Sequence, residues 1–415
     1  MADRHADFLL IGGGVAAASC ARELRAAGGA GGGSVLVVGR EQDPPYERPP
    51  LSKSYLAGAS DRSGALFLPA GWWEENDVEL LTRTSVMKLD TDTRVARLST
   101  KEEVTYRAAL IATGANVRRL RVDGCDHDGI HYLRAFANAD VIREEALAAD
   151  RVVLIGGSYI ACELAATLTA LGVSCTMLMQ EDVVLERVLG PEMGGWVQRQ
   201  LESRGVEVHG GDDLERFEGD GERVGRVISR RGLELDCGCV AIGAGVAPDV
   251  MLARSAGLEL GPLGGVLCSS RLETSLAPGV YAAGDVAEYE SPLHDGSHAR
   301  VEHFEVAVEH GRVAAQNMLG GSESLDDLVP YFWSDLSDWA MIEYVGVGVG
   351  QPVLRGSLED GSFTAFYSVE GDGRVVGAAT VGRPDDLDQG RRLIRTRAAP
   401  GRDALADEGT DLASL

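Results

Sequence analysis

Two stretches of this chain follow one plan, and that plan leaves few folds open. The first runs from Phe8-Leu-Leu-Ile11 through Gly12-Gly13-Gly14 into an alanine-rich stretch ending at Ala27, then into Val35 to Val38. The second runs from Val152 to Ile155 through Gly156-Gly157-Ser158 into Ile160 to Leu171, then into Cys175 to Met179. Each is a short apolar run of strand type, a glycine turn, a run of helix formers and a second β-rich run, the pattern of a βαβ unit. The phosphate-binding form of that unit needs small residues at three places. One permits the tight turn, one lets backbone approach a pyrophosphate, and one lets helix pack on strand. Gly12, Gly14 and Ala17 occupy these places in the first copy, and Gly156, Ser158 and Ala161 in the second. Serine at the middle place leaves slightly less room for a phosphate. One such turn alone is weak evidence. Two of them, each between a strand and a helix, predict an α/β chain that holds two dinucleotides.

Composition narrows the class further. Glycine makes up 53 of 415 residues, about 13% against a typical ~7%, yet shows no G-X-Y period, so a collagen-like chain is excluded. The run from Gly28 to Gly33 follows no strand and reads as a loop between helix and strand. The length suits two to three domains, and 45% apolar with 25% charged residues is the balance of an ordinary globular protein. With 64 acidic against 39 basic residues, a net charge of −25, a broad nucleic-acid surface is unsupported. The seven cysteines are scattered, odd in number and without zinc spacing, which argues against a secreted disulfide framework and for the cytoplasm. No apolar run reaches the ~18 residues that span a bilayer. The apolar stretch from Phe8 to Cys20 imitates an export signal, but Asp3 and Asp7 precede it and a glycine triplet interrupts it.

Five further blocks carry a family resemblance. They are PYERPPLSK (Pro45 to Lys53), IATGANVRR (Ile111 to Arg119), ETSLAPGVYAAGDVA (Glu273 to Ala287), VEHFEVAVEHG (Val301 to Gly311) and YFWSDL (Tyr331 to Leu336). In this order they resemble the ferredoxin reductases of multicomponent oxygenases and cytochrome P450 systems, together with apoptosis-inducing-factor-like flavoproteins, within the pyridine nucleotide-disulfide oxidoreductase superfamily. The resemblance covers roughly residues 6 to 395.

That resemblance implies two Rossmann-like dinucleotide-binding domains, glutathione-reductase-like, plus a C-terminal α+β domain. The expected boundaries are 1–114 with 244–325 for a discontinuous FAD domain, 115–243 for an NAD(P)H domain, and 326–390 for a C-terminal β-rich domain. Residues 391–415 are expected as a tail, disordered or solvated. It also implies non-covalent FAD, reduced by hydride from NAD(P)H, with single electrons passed to a ferredoxin-type iron–sulfur protein. The chain is expected as a monomer or homodimer.

Carried over by position, Gly12, Gly14 and Ala17 lie at the FAD pyrophosphate. Arg48, Lys53, Val86 and Arg118 line the flavin nucleotide, Gly284 and Asp285 meet its ribityl or phosphate part, and Trp333 sits against the isoalloxazine. An aspartate there can accept hydroxyl bonds while a helix N-terminus just beyond meets the phosphate. Gly156, Ser158, Tyr159, Ile160, Glu181 and Gly243 belong to the second nucleotide site. The resemblance pairs Glu163 with Lys53 near the nicotinamide, and these two are the catalytic candidates. Glu302 and His303 match the nicotinamide-side segment of the apoptosis-inducing-factor branch.

Departures from the family pattern are informative. Where an acid usually closes the second strand of the FAD unit, this chain has Arg40 followed by Glu41. Either the ribose contact shifts to Glu41 or Arg40 meets the adenosine in another way. In the second unit the corresponding stretch is Met179-Gln180-Glu181-Asp182. Acid without an adjacent arginine favours NADH over NADPH, because carboxylate repels a 2′-phosphate. Disulfide reductases need a redox cysteine pair near the flavin; PYERPPLSK occupies that region instead, and disulfide reduction is disfavoured. Two other outcomes stay open, a redox-responsive flavoprotein whose NADH-reduced state drives binding or dimerisation, and an NADH oxidase or quinone reductase. The arginines at 391, 392, 395, 397 and 402 are a candidate docking patch for an acidic partner, set against a plain solvated tail.

Overall fold

The computed structural model of the chain describes residues 3–28, 32–348 and 350–415. Residues 29–31 of the glycine-rich loop from Gly28 to Gly33 lie outside the described residues. The chain divides into two units. Unit one takes Met1–Glu47, Ser63–Asn116 and Ala247–Pro330, and unit two takes Arg48–Arg62, Val117–Val246 and Tyr331–Leu415.

Unit one is built on a parallel sheet. Arg4–Ile11 lies between Val35–Val38 and Glu103–Ile111, and Val78–Leu81 pairs the outer side of Val35–Val38. Glu103–Ile111 serves two neighbours along its other side. Its first residues pair antiparallel with Val95–Leu98, and its last three pair parallel with Val280–Ala282. The runs Phe8–Ile11 and Val35–Val38 are buried at every position, as strands covered on both faces must be. The helix Val15–Gly28 covers this sheet with its alanine-rich face and packs closely against the helix Phe304–Met318.

Unit two contains a second parallel sheet, ordered Glu207–His209, Cys175–Leu178, Val152–Ile155, Cys239–Ile242 and Ile130–His131. A three-stranded antiparallel layer, Leu214–Asp220, Arg223–Ser229 and Glu234–Asp236, is inserted before the strand Cys239–Ile242. A five-stranded antiparallel sheet follows, with Tyr331–Leu336 at one edge and Gln351–Ser357 at the other. Phe363, Phe366 and Tyr367 are fully buried there, each contributing on the order of 2–3 kcal/mol by leaving water. The helix Pro384–Arg395 packs on this sheet, which makes the C-terminal part α+β.

Two expectations are revised here. Residues 48–62, expected with the first nucleotide domain, group with unit two, because Thr167 Oγ1 donates to the Ser52 carbonyl (2.7 Å) and Ser52 bonds Glu163. Residues 391–415 are not a free tail. Arg355, nearly buried, donates to the carbonyls of Asp407 (2.5 Å) and Thr410 (3.0 Å). Arg392 donates to the carbonyls of Leu412 (2.7 Å) and Leu415 (3.1 Å), and Arg402 to that of Pro352 (3.0 Å). Two of the five arginines considered for docking thus tie down the terminal segment. Among the described residues, no helix is long and apolar enough to cross a membrane.

Candidate functional site

The first cradle stands at the end of the strand Arg4–Ile11. Gly12 has φ +139°, and a Cβ placed there would lie 2.0 Å from the Ala112 carbonyl oxygen. The turn can therefore tuck against the end of the neighbouring strand only without a side chain. At Gly14 a Cβ would meet nothing within 4 Å. The backbone is open there, at the place where a pyrophosphate approaches in this motif. Bare backbone facing open space at the start of a 14-residue helix fits the phosphate of FAD. Ala17 is fully buried in that helix.

Arg40 does not stand free at the end of Val35–Val38. It donates to Asn116 Oδ1 (2.6 Å) and pairs with Asp249 (3.1 Å), while Glu41 accepts from the Tyr46 hydroxyl (2.5 Å). Val86 opens the strand Val86–Asp90 with its side chain largely buried. Asp285 is half-buried in the turn Gly284–Val286, directly after Val280–Ala282. The helix expected just beyond it is only this three-residue 3₁₀ turn, and the chain continues as the strand Ala287–Glu290. Arg300 fastens the segment, donating to the Asp285 carbonyl (3.2 Å) and pairing with Glu302 (2.5 Å). His303 precedes the helix Phe304–Met318, and burial pushes its pKa down to about 4, so the ring is neutral at pH 7.

Sequence reasoning missed His310. It is fully buried, and its Nδ1 accepts the Gly284 backbone N–H (3.2 Å), fixing the turn that carries Asp285. Burial pushes its pKa down from 6.5 to about 3. The unfolded chain therefore binds a proton that the folded one refuses. That contribution is intact above 6.5 and is lost progressively as pH falls below it. The thermal midpoint of the wild type is expected to drop below pH 6.5, and His310→Gln is expected to flatten that dependence. Unfolding followed from pH 8 to 4 checks this, and parallel curves for the two proteins refute it.

The second cradle repeats the first within unit two. Gly156 has φ +105°, and a Cβ there would lie 2.7 Å from the Gly243 carbonyl oxygen. Ser158 is the N-cap of the helix Tyr159–Ala170, and its Oγ accepts the Ala161 N–H (3.4 Å). The middle-position serine thus satisfies an end of the helix. Tyr159 is partly buried with its ring edge-on to Phe332 at 4.8 Å, and its buried hydroxyl has no hydrogen-bond partner among the described residues, whereas Ile160 turns outward. Glu181, expected without an adjacent arginine, pairs with Arg187 at 2.5 Å. The contact escaped the sequence reading because Arg187 lies on the next helix, six residues on.

Glu163 lies five residues past Ser158 on the same helix, about 7.5 Å along its axis. Pro49 and Pro50 preset the 3₁₀ turn Pro49–Ser52, which ends on Lys53. Lys53 Nζ stands 3.0 Å from Glu163 Oε1, with both side chains largely buried. Two serines complete the carboxylate. Ser52 Oγ donates to Oε2 (2.5 Å) and Ser334 Oγ donates to Oε1 (2.7 Å). A buried charge persists only when paired and hydrogen-bonded in this way. Asp335 Oδ2 lies 4.0 Å from Lys53, and the Trp333 ring lies 6.0 Å from its ammonium, stacked on Tyr331. Ser52, Ser334 and Asp335 were not assigned from sequence, although all three sit inside the LSK and YFWSDL blocks. Arg48 Nη1 donates to the Arg134 carbonyl, and exposed Arg118 donates through Nε to the Val246 carbonyl (2.8 Å).

Two strand–glycine–helix turns of the nucleotide-binding type, together with the buried Lys53–Glu163 pair, define an oxidoreductase of the two-dinucleotide class. The chain belongs to the pyridine nucleotide-disulphide oxidoreductase family, whose profile matches residues 6–311, and a reductase C-terminal profile matches residues 331–415. It is 32% identical over 382 residues to the probable ferredoxin reductase CtmF of Castellaniella defragrans, covering 92% of each chain. It is 33% identical over 380 residues to the ferredoxin–NAD(+) reductase subunit of the benzene 1,2-dioxygenase system of Pseudomonas putida, covering 91% of this chain and 90% of that one. Among solved structures it is similar to the covalent putidaredoxin reductase–putidaredoxin complex, with TM-score 0.91, 30% identity and coverage of 100% of this chain and 98% of that one.

Proposed function

We propose that this chain is an FAD-dependent NADH:ferredoxin reductase of an oxygenase or P450 system. The observation that carries the reading is the Lys53–Glu163 pair, held at 3.0 Å beside the second cradle with no cysteine pair in its place. When bound, FAD takes the two electrons of a hydride and returns them singly, the conversion that a one-electron iron–sulfur acceptor requires. The chain's own residues supply binding and orientation. Unit one holds FAD through the Gly12–Gly14 turn and the Asp285 turn, and the parallel sheet of unit two holds NADH through the Gly156–Ser158 turn. The Lys53–Glu163 pair, braced by Ser52 and Ser334, places a fixed ammonium beside the nicotinamide end of that cradle. NADH is the donor, as in the NAD(+)-named relative. The seven free cysteines suit the reducing cytoplasm.

Anaerobic stopped-flow reduction by NADH, followed by addition of a ferredoxin with cytochrome c as reporter, tests the reading. Fast flavin reduction with cytochrome c reduced only when ferredoxin is present is expected. A reduced, nucleotide-bound protein that persists with ferredoxin and oxygen both present overturns it, in favour of a redox-responsive binding protein.

A further inference from the structure

Unit two brings three metal-type ligands together at the sheet edge away from its glycine turns. Cys239 opens the strand Cys239–Ile242, and Gly243 of the nucleotide cradle follows the other end. At about 3.3 Å per residue, the two ends are about 10 Å apart. His131 closes the neighbouring strand and is in register with Ala241, so the alternation of side chains puts His131 and Cys239 on one face. Glu145 comes from the helix Phe136–Ala148. One ligand atom from each of the three lies within 4.8 Å of the others, and His131 Nε2 is 3.0 Å from Glu145 Oε2. The Cys239 thiol is fully buried and makes no hydrogen bond among the described residues.

A positive group already occupies the carboxylate. Arg223 Nη2 stands 2.6 Å from Glu145 Oε2 and 3.1 Å from the Gly238 carbonyl, on a side chain that is 49% exposed. It can withdraw into solvent without breaking the core.

We propose that His131, Glu145 and Cys239 bind one thiophilic divalent cation of the zinc type, with Arg223 standing in for the metal in its absence. Sulfur, imidazole nitrogen and carboxylate oxygen are zinc's protein ligands, at bond lengths of about 2.0–2.3 Å, with a water completing a tetrahedron. Magnesium and calcium take oxygen ligands, so this donor set selects against them. On binding, the Cys239 proton passes to solvent as the metal–sulfur bond forms, His131 binds through neutral Nε2, and the Arg223 guanidinium leaves Glu145. No electron is transferred. Thiolate and carboxylate then balance the two charges of the metal, which leaves the buried site neutral. The bound metal joins the helix Phe136–Ala148 to two strands of the sheet, at the edge remote from the nucleotide. Its effect falls on stability and not on hydride transfer.

The test uses the full FAD-loaded chain, stripped with chelator. Zn(II) is titrated by calorimetry, and Cd(II) is titrated by the thiolate-to-metal absorption difference. One equivalent is expected to bind to the wild type, raising its thermal midpoint while leaving the rate of flavin reduction by NADH unchanged. Cys239→Ser is expected to lose that equivalent, and Cys237→Ser, outside the cluster, to keep it. Arg223→Ala is expected to bind about tenfold more tightly, because the competing cation is gone. His131→Ala carries the same expectation as Cys239→Ser should the latter fail to fold. Undiminished binding in Cys239→Ser or His131→Ala, or no binding in Arg223→Ala, overturns the proposal.

Discussion

Lys53→Ala is expected to slow reduction of the bound flavin by NADH by about 10²-fold or more, the usual scale for removing one preorganised charge from a reacting centre. Lys53 and Glu163 form one unit, since Glu163 is buried and is held by the ammonium 3.0 Å away and by two serine hydroxyls. Glu163→Gln is expected to slow reduction as well, leaving Lys53 to lean on Asp335 at 4.0 Å. The double variant is expected to be no slower than the worse single one, because residues that act together are not additive. Single-turnover stopped-flow with circular dichroism and FAD content in parallel separates this from unfolding. Removing the lysine alone strands a buried carboxylate, which costs about 3–5 kcal/mol in comparable pairs. Glu163→Gln strands no buried carboxylate and provides the cleaner rate. Unchanged reduction in both single variants removes the pair from the reaction.

Gly12→Ala is expected to give a chain without FAD and with a badly destabilised unit one. The added Cβ would fall 2.0 Å from the Ala112 carbonyl oxygen and 2.6 Å from its carbon, and φ +139° is strained for any L side chain. Neither neighbour can yield, since both are strand-end backbone. A loss above about 4 kcal/mol is expected, in the range reserved for such clashes. Gly14→Ala is the informative contrast. Its Cβ meets nothing within 4 Å, so the protein is expected to fold with a near-native thermal midpoint and to bind FAD more weakly. Equal FAD affinity for Gly14→Ala and wild type refutes the assignment of this turn to the pyrophosphate.

Those two glycines illustrate how much residue order conveys on its own. A turn that demands φ near +139°, or backbone facing open space, is decided by a few adjacent residues, so strand–glycine–helix order is legible locally. The same holds for the 3₁₀ turn at Pro49–Ser52, where two prolines constrain the backbone that ends on Lys53. The Lys53–Glu163 partnership was legible only through resemblance, since the long stretch of chain between the two carries no local signal of it.

Other contacts depend on the packed chain. Ser334 reaches Glu163 across 171 positions and Arg40 reaches Asp249 across 209. The departure of Arg40 from the usual acid was plain in the sequence, but its answer in Asp249 and Asn116 was not. Glu181 and Arg187 meet because a strand end and the next helix close on each other. The terminal segment looked like a solvated tail because its arginines are charged. The guanidinium groups of Arg392 and Arg402 are spent on backbone carbonyls that only folding brings within reach.

By itself, then, the sequence determined the two strand–glycine–helix turns and the α/β class, while the α+β appendage and the Lys53–Glu163 pair were legible through the blocks that resemble a known family. The turns rest on backbone angles and residue order within short windows. The tertiary structure alone decided which hydroxyls brace Glu163, what holds the Asp285 turn, and which cationic groups are already engaged. Those depend on burial, and burial is set by residues far apart in the chain.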